Sequence, residues 1–239
     1  MNIAILFGRK NSKSVRNKNV LKFYGKPAFN YPLEAALKNK FINKIYVSTD
    51  SSEIINFCKK KNCAIIKRPK KLCSDRALLE DAIQHAVNYC LKENKKVKNF
   101  VILLCNSICV SSKELDKGFQ IMKKFKPDSV TTISEFNMFS PIRAKKISGN
   151  LLNTYVPNRV MSNYTDLSCD RDKSVDTFFC TGSFTISAAN ILTNLKKNPF
   201  PFRWIGKKTR YVIQDSCVGD IDFEWQIPAI KWWLKKNIL

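Results

Sequence analysis

Residues Asn2–Asn19 read NIAILFGRKNSKSVRNKN, and the two halves of this stretch decide how the rest of the chain is read. Asn2–Phe7 is an apolar run of strand length and predicts a buried strand. Gly8–Asn19 then places Arg9, Lys10, Lys13, Arg16 and Lys18 among serines and asparagines within twelve positions. In α/β sheets ligands gather at the carboxyl ends of strands, and the loop after the first strand is the commonest phosphate cradle. Backbone N–H groups, hydroxyls and cations together suit a triphosphate. The Gly-x4-Gly-Lys-Ser spacing of a Walker A loop is absent. A solvated charged loop is the competing reading of the same residues.

Outward from this stretch, apolar runs of strand length alternate with segments of helical period. Helices are expected at Tyr31–Asn39, Ser52–Lys61, Leu78–Leu91 and Ser112–Phe125. Strands are expected at Lys44–Ser48, Ala64–Ile66, Phe100–Leu104 and Ser129–Ser134. Leu78–Leu91 carries apolar residues at helical spacing, and Phe100–Leu104 (FVILL) is continuously apolar, as in the middle of a parallel sheet covered on both faces. The alternation predicts a three-layer α/β domain with a mostly parallel mixed sheet. The chain reads as a single domain, 1–239, interrupted by a polar, turn-rich excursion over 136–176, of the kind used as a flap or oligomerisation arm. Beyond it a strand at Phe184–Ser187, a helix near Ala188–Lys196 and a strand at Arg210–Gln214 are expected. The last helix, Phe223–Leu234, should be kinked by Pro228.

The 239 residues carry 42 Lys+Arg against 19 Asp+Glu, a net charge of +23. That excess points to an anionic partner. The basic pairs are spread along the whole chain, which fits solvated helix ends and loops better than one nucleic-acid-binding stripe. Lysine outnumbers arginine more than threefold, alongside many asparagines and isoleucines, a skew that AT-rich coding would impose. Nine cysteines form no Cys-x-x-Cys pair, and the lone His85 cannot complete a zinc knuckle. They read as reduced, structural thiols of a cytoplasmic protein. No run approaches the length of a membrane span, and the positive flank of NIAILF lies on the wrong side for a signal segment.

A second candidate segment is Gly219–Trp225, GDIDFEW. Asp220 and Asp222 alternate across Ile221, so in extended backbone both carboxylates point one way. Two convergent carboxylates beside phosphate are the usual holder of Mg²⁺. The competing reading makes Asp222 the N-cap of the last helix. Asp50, at the end of a strand, faces either a ligand or the start of the next helix. His85 reads as a packing residue, and Trp225, Trp232 and Trp233 as a core or interface stripe.

With these segments in place, the chain resembles the acylneuraminate cytidylyltransferases (CMP-sialic acid synthetases), relatives of the KDO cytidylyltransferases. The family loop R-x-x-S-K followed by K-N is matched by Arg9, Ser12, Lys13, Lys18 and Asn19. Gly25–Ile54 resembles the next family segment, and RPKKLCSDRA (Arg68–Ala77) resembles R-P-x-x-L-x-x-D-x-A. The tail D-I-D-x-E-W is matched by Asp220, Ile221, Asp222, Glu224 and Trp225. The resemblance implies a Rossmann-like nucleotidyltransferase fold and transfer of CMP from CTP to the anomeric hydroxyl of a nonulosonic (sialic-acid-like) acid, with loss of pyrophosphate. By position it implies that Arg9, Ser12, Lys13 and Lys18 hold the CTP phosphates, with the backbone of Leu6–Gly8 and the Ser74–Ala77 turn, Asp75 included, near the ribose and cytosine, and Asn19 among the nucleotide-binding residues. Asp220 and Asp222 would bind Mg²⁺, and Arg9, Lys18 and Asp222 would carry the chemistry. It also implies a homodimer joined through 136–176, with no nucleic acid or membrane as partner.

The departures from the family cluster where the sugar should sit. Cys105 and Asn106, in CNSICVSS, stand in place of Gln-Pro, and CDRDKS offers Arg171 where R-Q-x-L-P is missing. TGSFTI (Thr181–Ile186) replaces Asn-Gly-Ala-Ile-Tyr. Asn106 and Arg171 are therefore the candidate sugar contacts. The alternatives are a nucleotidyltransferase for KDO or another sugar, with CTP or another nucleotide, and a basic nucleic-acid-binding protein.

Overall fold

In a computed structural model, residues 1–11, 14–136, 139–163, 170, 176–215 and 219–239 are described. Ser12, Lys13 and Arg171 lie outside them. The opening run forms strand β1 (Asn2–Gly8), whose Ile3, Ala4, Ile5 and Leu6 are wholly buried. Each of the isoleucine and leucine side chains contributes about 1.5–3 kcal/mol of burial free energy. After the basic loop and a small hairpin, β2 (Lys22–Phe23) and β3 (Lys26–Pro27), come α1 (Asn30–Leu37), β4 (Lys44–Thr49), α2 (Ser52–Lys59) and β5 (Ala64–Lys67). Then follow α3 (Leu79–Glu93), β6 (Asn99–Leu104), α4 (Ser112–Phe125) and β7 (Ser129–Glu135). The excursion holds an exposed ribbon, β8 (Lys145–Ser148) with β9 (Leu151–Thr154), and a short helix α5 (Asn158–Met161). The chain returns as β10 (Phe178–Ala188), β11 (Thr209–Ile213) and α6 (Gln226–Asn237).

One seven-stranded sheet runs in the order β11-β7-β10-β6-β1-β4-β5. All its pairings are parallel except those of β10, which is antiparallel to both β6 and β7. One face packs on α1, α2 and α4 through Leu33, Ile54, Leu115 and Phe119. The other packs on α3 through Ala82, Ile83, Ala86 and Val87. The three-layer, mostly parallel mixed sheet is thus present. A third cluster joins α6 (Ile230, Trp233, Leu234) to Val15 of the basic loop, Phe23 of the small hairpin and Ile221. It fastens the two candidate segments to one body.

Three expectations are corrected. Residues 188–196 form no α-helix but two 3₁₀ turns, Ala189–Leu192 and Leu195–Lys197. Side chains there take backbone partners that a helix would use: Thr193 Oγ1 donates to Asn190 O (2.8 Å), and Asn198 Nδ2 to Ile191 O (2.9 Å). The strand expected at Phe184–Ser187 runs the eleven residues of β10, with a register shift between Cys180 and Thr185 around Gly182. Pro228 does not kink α6: it sits in the first turn, where its missing N–H has no partner to lose.

Among the tryptophans only Trp233 is core, whereas Trp225 and Trp232 are more than half exposed. The seven described cysteines are all free thiols. No helix among the described residues is long and apolar enough to cross a membrane.

Candidate active site

A cavity of about 420 Å³ opens at the carboxyl ends of β1 and β6. Its floor is Phe7, Gly8, Leu104 and Asn106, and its walls are the basic loop on one side and the β5–α3 turn with the first turn of α3 on the other. Asp220 and Asp222 close the third side. Gly8 is required at the floor because a Cβ there would run into Cys105. Cys105 itself is wholly buried, and burial pushes its thiol up to about 12, so it acts as a small apolar contact and not as a nucleophile.

The acidic side is built by alternation. Ile221 is wholly buried in the third cluster, which turns the flanking Asp220 and Asp222 carboxylates to the cavity. Asn106 Nδ2 donates to Asp220 Oδ2 and to Ile221 O, both at 3.3 Å, and Ile221 N donates back to Asn106 O at 3.1 Å. Gly182 of β10 faces the same carboxylate: a Cβ there would come to 3.5 Å from Asp220 Oδ1. Burial raises the Asp220 carboxyl above the usual aspartate range, and the neighbouring Asp222 charge raises it further; Lys18 and the Asn106 hydrogen bond pull the other way. Asp222 is not a helix cap: its N–H and that of Phe223 donate to Gln226 Oε1, both at 2.7 Å.

The cationic side is held by the loop's own turns. Lys18 Nζ meets Asp222 Oδ1 at 2.6 Å, spanning the cavity from base to acid. Arg9 Nη1 donates to Ser74 O at 2.9 Å and pairs with Asp75 Oδ1 at 3.1 Å, tying the loop to the opposite wall. Asn19 Nδ2 donates to Arg9 O at 2.7 Å, while its Oδ1 is buried with no partner among the described residues. Asp50 faces the loop: its Oδ1 accepts Lys10 N at 2.7 Å, and Ser51 takes the N-cap position of α2.

The structure therefore brings Gly8, Arg9, Lys18, Asn19, Asn106, Asp220 and Asp222 to one cavity. The Leu6 side chain is wholly inside the core and does not line the cavity, and Asp75 acts on Arg9 from the rim. Two polar wall residues were missed in sequence. Ser14 is one, and the other is Arg68, whose Nε and Nη2 donate to Ser48 Oγ (3.2 Å) and Ser48 O (2.6 Å). The Arg-Pro at the head of RPKKLCSDRA was its only sequence signal. His85 lies outside this cavity, on the far side of the β5–α3 turn. Burial lowers its pKa, with Arg68 and Lys71 adding to the shift, so it is neutral at pH 7.

The donor set fits Mg²⁺. It offers two hard carboxylates, one of them under-neutralised, beside cations that suit phosphate, and Mg²⁺ is held by one or two carboxylates plus substrate phosphates. No group of three or more His, Cys, Asp or Glu among the described residues forms a cage for a metal.

The sheet order and the placement of the site at strand carboxyl ends define a Rossmann-like α/β class. A family model for cytidylyltransferases matches residues 3–152, and the chain belongs to that family. It is 33% identical over 147 residues to the Helicobacter pylori "Pseudaminic acid cytidylyltransferase and UDP-2,4-diacetamido-2,4,6-trideoxy-beta-L-altropyranose hydrolase", covering 59% of this chain and 27% of that protein. It is 36% identical over 86 residues to an N-acylneuraminate cytidylyltransferase of Escherichia coli, covering 36% of this chain and 20% of the other. With a pseudaminic acid cytidylyltransferase of Campylobacter jejuni it shares 28% identity over 120 residues, covering 50% and 52%. The chain thus spans between a fifth and about half of these relatives' lengths.

In fold it is similar to a CMP:2-keto-3-deoxy-manno-octonic acid synthetase complexed with CTP (TM-score 0.68, 12% identity, 99% of each chain). A 4-diphosphocytidyl-2C-methyl-D-erythritol synthase gives TM-score 0.67 at 10% identity over 98% of each chain. The family match ends well before Gly219, so the acidic segment rests on geometry.

Proposed function

We propose that this chain transfers CMP from CTP to the anomeric hydroxyl of a carboxylated keto-sugar of the nonulosonic class, for surface glycan synthesis. The sugar oxygen bonds to the α-phosphorus, the bond to the β-phosphate bridging oxygen breaks, pyrophosphate leaves, and the hydroxyl proton passes to water. The observation that carries the reading is the Lys18–Asp222 pair spanning a cavity at the carboxyl ends of parallel strands. It supplies, in one place, a cation for phosphate and carboxylates for a divalent ion. The names of the relatives, pseudaminic and N-acylneuraminate cytidylyltransferases, support the substrate class.

Catalysis in such a site is positioning plus neutralisation of charge. Arg9, already fixed by Asp75, and Lys18, on release from Asp222, stand where phosphate oxygens would lie. Asn19 Oδ1 offers a buried acceptor to a ligand hydroxyl or amine. Phe7, Leu72 and Leu104 give an apolar wall suited to the base and ribose. Asp220 and Asp222 would hold Mg²⁺, which when bound would neutralise phosphate charge and polarise the reacting phosphoryl group.

The reading includes a homodimer in a reducing, cytoplasmic setting. The β8–β9 ribbon exposes Ile147 and its cross-strand partner Leu152 on one face, at 81% and 69%, and Leu151 on the other, at 70%, apolar side chains that a second copy would cover. A monomer by light scattering at micromolar concentration would count against it. The functional test is pyrophosphate release with CTP, Mg²⁺ and a panel of nonulosonic and octulosonic acids. No turnover with any of them overturns the proposal, and turnover with UTP or GTP in place of CTP redirects it to another nucleotidyltransferase.

A further inference from the structure

We infer that Gln214 is a positioning residue for Asp220: one buried carboxamide fastens the β6–α4 loop to the β10 bulge, and these two supports carry the carboxylate. The inference rests on the reading of Asp220 as a cation-holding group.

Gln214 follows β11 and is 2% exposed. Every polar group it has is used. Its N–H donates to Ile133 O at 2.8 Å, and its backbone oxygen accepts Ser134 Oγ at 2.9 Å. Its side-chain Nε2 donates to Cys109 O and to Glu114 Oε1, each at 2.9 Å. Its Oε1 accepts the Thr181 hydroxyl at 2.6 Å. The amide cannot be reversed, because a carbonyl oxygen would then face both Cys109 O and a carboxylate. A fully paired buried amide of this kind fixes one arrangement, since any other leaves desolvated polar groups unmet.

Each partner leads to Asp220. Cys109 lies on the loop that bears Asn106, and Asn106 donates to Asp220 Oδ2. Glu114 belongs to the capping box of α4, where its Oε2 accepts Ser111 N and Ser111 Oγ at 2.9 and 2.8 Å, so the loop is held at both ends. Thr181 begins the bulge of β10, and its hydroxyl also meets Thr132 Oγ1 at 2.7 Å. The Thr181 carbonyl lies directly against Gly219, so tightly that a Cβ at Gly219 would collide with it. The next bulge residue, Gly182 (φ +71°), faces Asp220: a Cβ there would come to 3.5 Å from Oδ1, so the bulge backbone bounds the space the carboxylate occupies. Gln214 therefore sets the distance between the Asn106 and the Gly182 sides of a single carboxylate, without touching it.

The test compares Gln214→Met, Thr181→Val and Thr181→Ser with the unaltered chain. It measures Mn²⁺ binding in the presence of CTP by electron paramagnetic resonance, together with kcat and KM. Removing a group that orients a metal ligand commonly weakens metal affinity or activity by about 10–100-fold. That loss is expected for Gln214→Met and Thr181→Val in Mn²⁺ affinity and kcat, with KM for CTP little changed. Thr181→Ser, which keeps the hydroxyl, should restore both. A folded Gln214→Met with unaltered Mn²⁺ affinity overturns the inference. If that variant does not fold, equal behaviour of Thr181→Val and Thr181→Ser overturns it instead. A crystal structure of Gln214→Met gives a readout free of ligand: the Asn106–Asp220 contact should be broken, and its retention overturns the inference. If the unaltered chain binds neither Mn²⁺ nor CTP, the functional reading fails, and that structure still decides the positioning claim.

Discussion

At Asp220 two opposed demands meet on one side chain. The carboxyl is raised by burial and by Asp222, so the folded chain binds its proton more tightly than the unfolded chain does. Its contribution to stability is fully present below the ordinary aspartate range and is lost as pH rises through the raised value. Without a divalent cation, Asp220→Asn should therefore raise the melting temperature at pH 7 and flatten its rise on acidification between pH 7 and 4, roughly the window above an ordinary aspartate. The same variant should lose pyrophosphate release, and a lower melting temperature at pH 7 would contradict this account.

Across the cavity, Lys18→Ala should cost about 10²–10³ in kcat/KM, the usual loss for one preorganised donor, while leaving the fold intact. Both aspartates could be read from the D-I-D alternation, because a period of two is local. Arg68 could not, because its orientation is set by Ser48 on a neighbouring strand. Nor could the chain order alone show that Asp75 serves Arg9.

At the scale of elements, helices and parallel strands followed their periodicity closely, and Ser112–Phe125 begins and ends where its pattern does. The start is fixed by a capping box between Ser111 and Glu114. Ser111→Ala should cost about 1 kcal/mol. For a domain of this size that is a fall of about 2–4 °C in melting temperature, measurable by calorimetry. β10 was half hidden because Thr181 and Ser183 are small and polar, and their burial is offset through Thr132 of β7 and Gln214 just after β11. The Ala188–Lys196 helix failed for the converse reason: an apolar period is outweighed by asparagines and threonines that bond their own backbone.

Over the whole molecule, of the 42 basic residues behind the net charge of +23, only Arg9, Lys18 and Arg68 line the cavity among the described residues. CTP binding should therefore show a shallow salt dependence, because few cations meet the ligand. A steep slope with DNA or RNA would favour the nucleic-acid alternative. The third hydrophobic cluster has a wider consequence. Val15 of the basic loop and Ile221 of the acidic segment are both packed against Ile230, Trp233 and Leu234 of α6. A ligand that draws loop and carboxylates together loads this C-terminal helix without touching it. Amide hydrogens of Gln226–Asn237 should exchange more slowly once CTP and Mg²⁺ are added, while those of α3 beyond its first turn are little affected. The last helix of the chain would then serve as a built-in gauge of site occupancy, readable in a deuterium-labelling experiment with no sugar present.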